Sequence, residues 1–196
     1  MILYGLMSTI RERVTQFMLG GVAGADALGR FAMAWRLTSA PNSLLYAAIG
    51  PAYFGAAARG TRDGNERIAV ELVRFSLVLL VPAFVFLAVE SATLVTWLFG
   101  ARWSGSGSMV AVLAVPMLTL AATGWIDRLF DVYQQQAAAL ALESGFTLVV
   151  LAAFAWALRS DPSGDAAILA FAALSAIYYH AYVWVAFRRA GMATLG

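Results

Sequence analysis

Residues 67–99 read RIAVELVRFSLVLLVPAFVFLAVESATLVTWLF. From Phe75 to Val89 no side chain is ionisable, and Ser76 is the only polar one. A bilayer core about 30 Å thick needs roughly 20 apolar residues wound as helix, so this stretch reads as a membrane span. Working outward from it, further segments at 2–22, 27–58, 108–132, 136–158 and 165–187 reach or approach the same length. The expectation is an all-α, polytopic membrane protein with six transmembrane helices, organised as a single unit over residues 1–196.

Composition agrees with that expectation. Apolar residues make up 62% of the 196 positions and charged residues 12%, about half the roughly 25% of an average soluble domain. All the basic residues are arginine, and the formal net charge of +2 is too small for a nucleic-acid surface. With no cysteine, disulfides, thiolate metal sites and cysteine nucleophiles are excluded. The start, MILYGLMSTIRER, lacks the basic segment, unbroken apolar core and small-residue cleavage site of a secretory signal, so it is read as part of the mature chain.

The connections are short and rich in turn residues: GVAGAD at 21–26, RGTRDGN at 59–65, ARWSGSGS at 101–108, YQQQ at 133–136 and RSDPSGD at 159–165. Asp26, Ser108 and Asp165 are candidate N-caps, and Gly60 and Gly100 fall where helices should stop. Arginines near span ends favour the cytoplasmic side. Arg59, Arg62 and Arg67 between the second and third spans, with Arg188 and Arg189 after the sixth, therefore place both termini in the cytoplasm. The second and third segments would each run to roughly 48 Å as straight helix and must tilt, kink or project. Pro41, Pro51, Pro82 and Pro116 lie inside spans and are expected to interrupt them.

Charged residues inside the spans are the candidate functional groups, because an ionised side chain in hydrocarbon must face protein or water. On the first helix, Gly5, Ser8, Thr9, Glu12, Arg13, Gln16, Gly20 and Ala23 fall on one side at 100° per residue. Arg11 falls outside that stripe and is expected to snorkel along its edge. The alternative is an interfacial helix in which Glu12 neutralises Arg13. Arg36, ten residues into the second segment, in which Asn42 adjoins the Pro41 break, is expected to face the bundle interior, either toward an anionic substrate or toward an acid on another helix. Asp127, Arg128 and Asp131 have the spacing of an interfacial ion pair, as have Glu71 and Arg74. Glu90 and Glu143 are isolated acids and give a weak signal for a proton path. His180 is the only histidine and is expected to pack among interfacial aromatics such as Trp103, Trp184 and Tyr182. The sequence carries no glycine-rich phosphate loop, zinc-protease helix, nucleophile elbow or paired carboxylates at hydrolase spacing, so neither an enzyme nor a cofactor is expected.

The run ALGRFAMAWRLTSAPNSLLYAAIGPAYFGAAAR, 27–59, resembles an element of bacterial polysaccharide (O-antigen type) flippases: a glycine and an aromatic, then A-x-R-L, a proline and a long apolar helix. WLFGARWSGSGSMVAVLAVPML, 97–118, resembles the same family's LFG-x-x-W element. The family belongs to the multidrug, oligosaccharidyl-lipid and polysaccharide exporter superfamily, and the resemblance extends over nearly all of the chain. It implies one six-helix lobe, matching the C-terminal one, of a two-lobe inner-membrane transporter. It implies flipping of a polyprenyl-pyrophosphate-linked oligosaccharide for lipopolysaccharide or other surface polysaccharide biosynthesis. The implied partners are the lipid bilayer, the lipid-linked oligosaccharide, and a missing N-terminal lobe or a second copy that closes the cavity. Substrate binding falls by type and place to Arg11, Arg13 and Arg36, with Arg128 a weaker fourth. A multidrug or cation exporter would prefer an acidic cavity, against which the arginine-rich spans argue. A non-transporting membrane scaffold is the remaining alternative.

Overall fold

A computed structural model describes residues 2–190 and contains α-helices and short 3-10 turns, with no strand among the described residues. The helices are α1 (Ile2–Val22), α2 (Gly24–Ala57), α3 (Arg62–Val89), α4 (Ser91–Phe99), α5 (Ser106–Thr123), α6 (Arg128–Val132), α7 (Gln136–Ser160) and α8 (Asp165–Ala190). Four stretches are long and apolar enough to cross a membrane: Asp63–Val89, Ser106–Val132, Gln136–Ser160 and Asp165–Arg188. The chain is thus a multi-pass membrane protein by its helices. α1 and α2 are not among the four. Arg11, Glu12 and Arg13 interrupt the first, and Arg36, Thr38, Ser39, Asn42 and Ser43 the second.

Six continuous segments were expected, and two of them are broken. The 67–99 segment divides at Glu90 into α3 and α4. There the Ser91 hydroxyl donates to the Ala88 carbonyl at 3.1 Å, a local bond that competes with the helical ladder. The 108–132 segment tightens into a 3-10 turn over Gly124–Asp127 before α6, the kind of mid-helix change that re-aims side chains. The prolines do not break their helices: α2 runs through Pro41 and Pro51, α3 through Pro82 and α5 through Pro116. At 34 residues, α2 extends roughly 51 Å. The side chains of Arg62 and Arg189, used in the topology reading, lie outside the described residues.

Glycines set the turns. Gly24, Gly100 and Gly164 have φ near +88°, a region that L side chains avoid. Gly164 has a second constraint, since a Cβ there would lie 2.6 Å from Leu19 Cδ1 on α1. Gly100 ends α4 as expected. Gly60 lies in the turn after α2, where buried Asn65 donates to the otherwise open Ala57 carbonyl at 2.9 Å. Of the expected N-caps, Ser108 lies inside α5 and Asp26 inside α2, paired with Arg30 at 3.4 Å. The start of α8 is capped from Asp161, whose carboxylate accepts from the Ser163 and Ala166 amides at 3.0 and 3.1 Å.

Helix contacts close a ring: α1 packs on α2, α2 on α5, α5 on α8, α8 on α7, and α7 on α1. α3 and α4 lie outside the ring against α5. Much of α3 meets no protein, with Phe75, Val78 and Val89 each more than 60% exposed. An apolar face of that extent suits lipid or an apolar partner surface. Inside the ring are two apolar clusters. One gathers Leu19, Phe31, Leu113, Phe154 and Phe171, and the other Tyr53, Trp125, Leu129, Tyr179 and Tyr182.

Candidate functional site: a polar cavity inside the helix ring

Between the two clusters lies a cavity of about 420 Å³, within the roughly 300–1,000 Å³ range of small-molecule sites. α1 contributes Ser8, Thr9, Arg11 and Glu12, and α2 contributes Trp35, Ser39, Asn42, Ser43 and Tyr46. The far wall is Thr123 and Asp127 from the α5 end, with Glu143 of α7 and tyrosines of α8.

The floor is a buried ion pair. Arg11 donates from Nη1 to Glu143 Oε1, and the Tyr178 hydroxyl donates to Glu143 Oε2. Arg11 Nη1 also reaches Thr147 Oγ1 at 3.3 Å. Its guanidinium stands 4.8 Å from the Phe146 ring centre and 5.7 Å from that of Tyr178. Those two rings stack at 3.8 Å with an interplanar angle of 6°. Glu143 is 1% exposed and Arg11 8%. A pair this dry survives because each charge has its counter-charge and hydrogen bonds from Tyr178 and to Thr147 add to it.

On the wall, Asp127 Oδ2 accepts from the Tyr46 hydroxyl at 2.9 Å. Asp127 is 8% exposed, yet its Oδ1 receives no hydrogen bond, the nearest cationic nitrogen being Arg128 Nε at 3.8 Å. That orientation follows from the 3-10 turn at 124–127, which also buries Trp125 against Tyr53 at 4.7 Å.

The four arginines separate into two pairs. Arg11, expected to snorkel outside the polar stripe, is instead the innermost: residues 8, 11, 12, 15 and 19 share the inward side of α1, about one residue step from the expected stripe. Arg128 is half-buried, 3.8 Å from both Asp127 and Asp131 and 5.2 Å from the Tyr46 ring centre. The expected ion pair is therefore present there. Arg13 and Arg36, by contrast, are exposed and make no ion pair among the described residues. The expectation that Arg36 faces the bundle interior is corrected: Ala34 and Thr38, two positions to either side, occupy the buried face of α2. Arg13 lies one helical turn from Thr9, and Arg36 two turns from Ser43, along the exposed stripes that lead to the cavity mouth.

A second correction concerns charge. Arginine was expected to dominate the interior, but the ionisable residues lining this cavity are Arg11 against Glu12, Asp127 and Glu143, besides tyrosines. Glu143 was undervalued because its partner is 132 positions away, so no local spacing announces the pair. The available signal was that a lone acid in an apolar helix must find a cation somewhere. Tyr182, expected at headgroup depth, is buried, whereas Trp184 is half exposed beneath Arg188, whose guanidinium is 4.7 Å from its ring. His180 is exposed, its Nδ1 2.7 Å from the Ala176 carbonyl. Glu71 pairs with Arg67 at 3.2 Å in place of Arg74.

The family model described as polysaccharide biosynthesis protein matches residues 1–108, more than half of the chain. This chain belongs to the polysaccharide biosynthesis protein family. The match fits the polysaccharide flippase resemblance read from the 27–59 and 97–118 elements. It spans α1 to α4 and the opening of α5, and so includes the α1 and α2 walls of the cavity. Comparisons with curated proteins and with solved structures return no match. Family membership connects the chain to polysaccharide synthesis and export.

Proposed function

We propose that this member of the polysaccharide biosynthesis family is one lobe of an inner-membrane transporter. It flips a polyprenyl-pyrophosphate-linked oligosaccharide during surface polysaccharide biosynthesis, making and breaking no covalent bond. The carrying observation is a polar cavity enclosed by helices that are apolar on their outer faces, in a chain of this family. The exposed Arg13 and Arg36 are assigned to the pyrophosphate. Guanidinium groups keep their charge in low dielectric and bind phosphate oxygens bidentately. Arg11 and Arg128, each matched to acids of this chain, are assigned to holding helices together. A second lobe or second copy supplies the other side of the transport path outside the ring, facing Arg13 and Arg36, and both termini lie in the cytoplasm.

A second reading, export of an organic cation, gains from the three carboxylates at the cavity. The two readings separate on one experiment. Arg13→Ala and Arg36→Ala are introduced singly into the complete transporter, and surface glycan is measured at matched protein level. Loss of glycan supports flipping; undiminished glycan in both variants removes the arginines from the mechanism.

A further inference from the structure

We infer that the cavity inside the helix ring is a sugar site. It receives a neutral, hydroxyl-rich ring of the lipid-linked glycan, while the pyrophosphate stays outside at Arg13 and Arg36. This rests on the flippase reading and divides its substrate between two places.

Three observations carry it. First, the cavity holds no cation for an anion to claim: Arg11 is neutralised by Glu143, Arg128 stands 3.8 Å from both Asp127 and Asp131, and Glu12 adds a carboxylate. A pyrophosphate brought there would find its counter-charges already matched and a further carboxylate beside it. Second, Asp127 lines the cavity, and the Tyr46 hydroxyl is the side-chain donor its carboxylate receives from another helix. A carboxylate accepts several hydrogen bonds, so a ligand hydroxyl can add one. Third, the other polar groups are short hydroxyls and an amide, Ser39, Ser43 and Asn42 among them, facing Trp35 and Tyr46. Carboxylate acceptors and two-way hydroxyl and amide groups match a polyol's alternating donors and acceptors, and aromatic faces match the apolar C–H faces of a sugar ring. An organic cation would use the carboxylates and the aromatics but brings no hydrogen-bonding groups to the Ser39 hydroxyl and the Asn42 amide.

The chain has no native cysteine, so a reporter can be placed at will. Ser39→Cys lines the cavity and Ser160→Cys lies on the exposed end of α7. The full chain in detergent is labelled with an aqueous maleimide in the presence of N,N′-diacetylchitobiose, inorganic pyrophosphate or tetraphenylphosphonium. The disaccharide is expected to slow labelling of Ser39→Cys about twofold at a concentration equal to its Kd and about tenfold near ten times that, with Ser160→Cys unaffected. Pyrophosphate and the cation are expected to leave both rates unchanged. Adding Asp127→Asn, which keeps an acceptor for Tyr46, is expected to weaken disaccharide protection about tenfold.

Absence of disaccharide protection, protection by pyrophosphate or by the cation to the same degree, or protection indifferent to Asp127→Asn each overturns the sugar site. If that happens while Arg13→Ala and Arg36→Ala still abolish surface glycan, transport stands and only the cavity assignment falls. If protection holds and neither arginine variant changes surface glycan, the flippase reading falls and a sugar-binding membrane protein remains.

Discussion

Replacing Glu143 with glutamine removes the counter-charge of a guanidinium that is 8% exposed. The amide keeps the volume of the carboxylate and one acceptor, so the perturbation is electrostatic. Arg11 would retain Thr147 at 3.3 Å and the faces of Phe146 and Tyr178, and the latter contribute on the order of 1–2 kcal/mol when desolvated. Both contacts are already present in the native protein and replace nothing that is lost. Breaking a buried pair by deleting one partner costs about 3–5 kcal/mol. Weakening the hydrogen bond from Tyr178 adds about 1 kcal/mol. The expected loss is therefore about 4–6 kcal/mol. Equilibrium unfolding in mixed micelles, followed by tryptophan fluorescence, reads it directly. The double variant Arg11→Met/Glu143→Met removes both charges and is expected to lie within about 2 kcal/mol of wild type, giving a large coupling energy between α1 and α7. A Glu143→Gln loss below about 1 kcal/mol, or single losses that simply add in the double variant, would refute the argument and show that cavity water solvates Arg11.

Further tests address packing, capping and the membrane. A Cβ at Gly107 would lie 2.7 Å from Ala92 Cα, a backbone atom that cannot step aside, so Gly107→Ala is expected to lower stability by about 1–3 kcal/mol. Gly145→Ala, with nothing within 4 Å in the middle of α7, is expected to raise it by roughly 0.5–1 kcal/mol in the same unfolding assay. Asp161, outside the spans, is held below the ordinary carboxylate range by the Ser163 side chain and by the Ala166 and Ser163 amides. Because its folded pKa is depressed, its support of α8 is fully present above the ordinary aspartate range and lost as pH falls through the lowered value. Asp161→Asn should flatten the acid side of a stability–pH profile, and an unchanged acid limb would count against the cap. Finally, Thr9→Cys at the cavity mouth should react with an aqueous maleimide in membranes. Val78→Cys, 77% exposed on α3, should not. Rapid aqueous labelling at 78 would mean that this face meets water and not lipid.

Some of this protein follows from its sequence alone. An uncharged run such as 75–89 must be helical in lipid, because an isolated segment can satisfy its backbone in hydrocarbon only by bonding within itself. The helical regions, the α1 boundaries at 2 and 22, and the stop at Gly100 were therefore legible, as was the local Arg128–Asp131 pairing at i, i+3. The elements at 27–59 and 97–118 pointed to the family. The breaks at Glu90 and Gly124 were not legible, because they depend on a serine hydroxyl choosing a local carbonyl and on where Trp125 finds space. Nor was the choice among arginines. A residue's angle around a helix is fixed by sequence, but which angle faces inward is fixed by the neighbouring helices, and one residue step exchanges Arg11 for its neighbours. Only the meeting of α1 with α7, of α8 with α7 and of α2 with the end of α5 brought Arg11 to Glu143, Tyr178 to the same carboxylate and Tyr46 to Asp127. Charge in hydrocarbon demands a partner, which the sequence reveals. The identity of that partner is a long-range contact, and that is decided by packing.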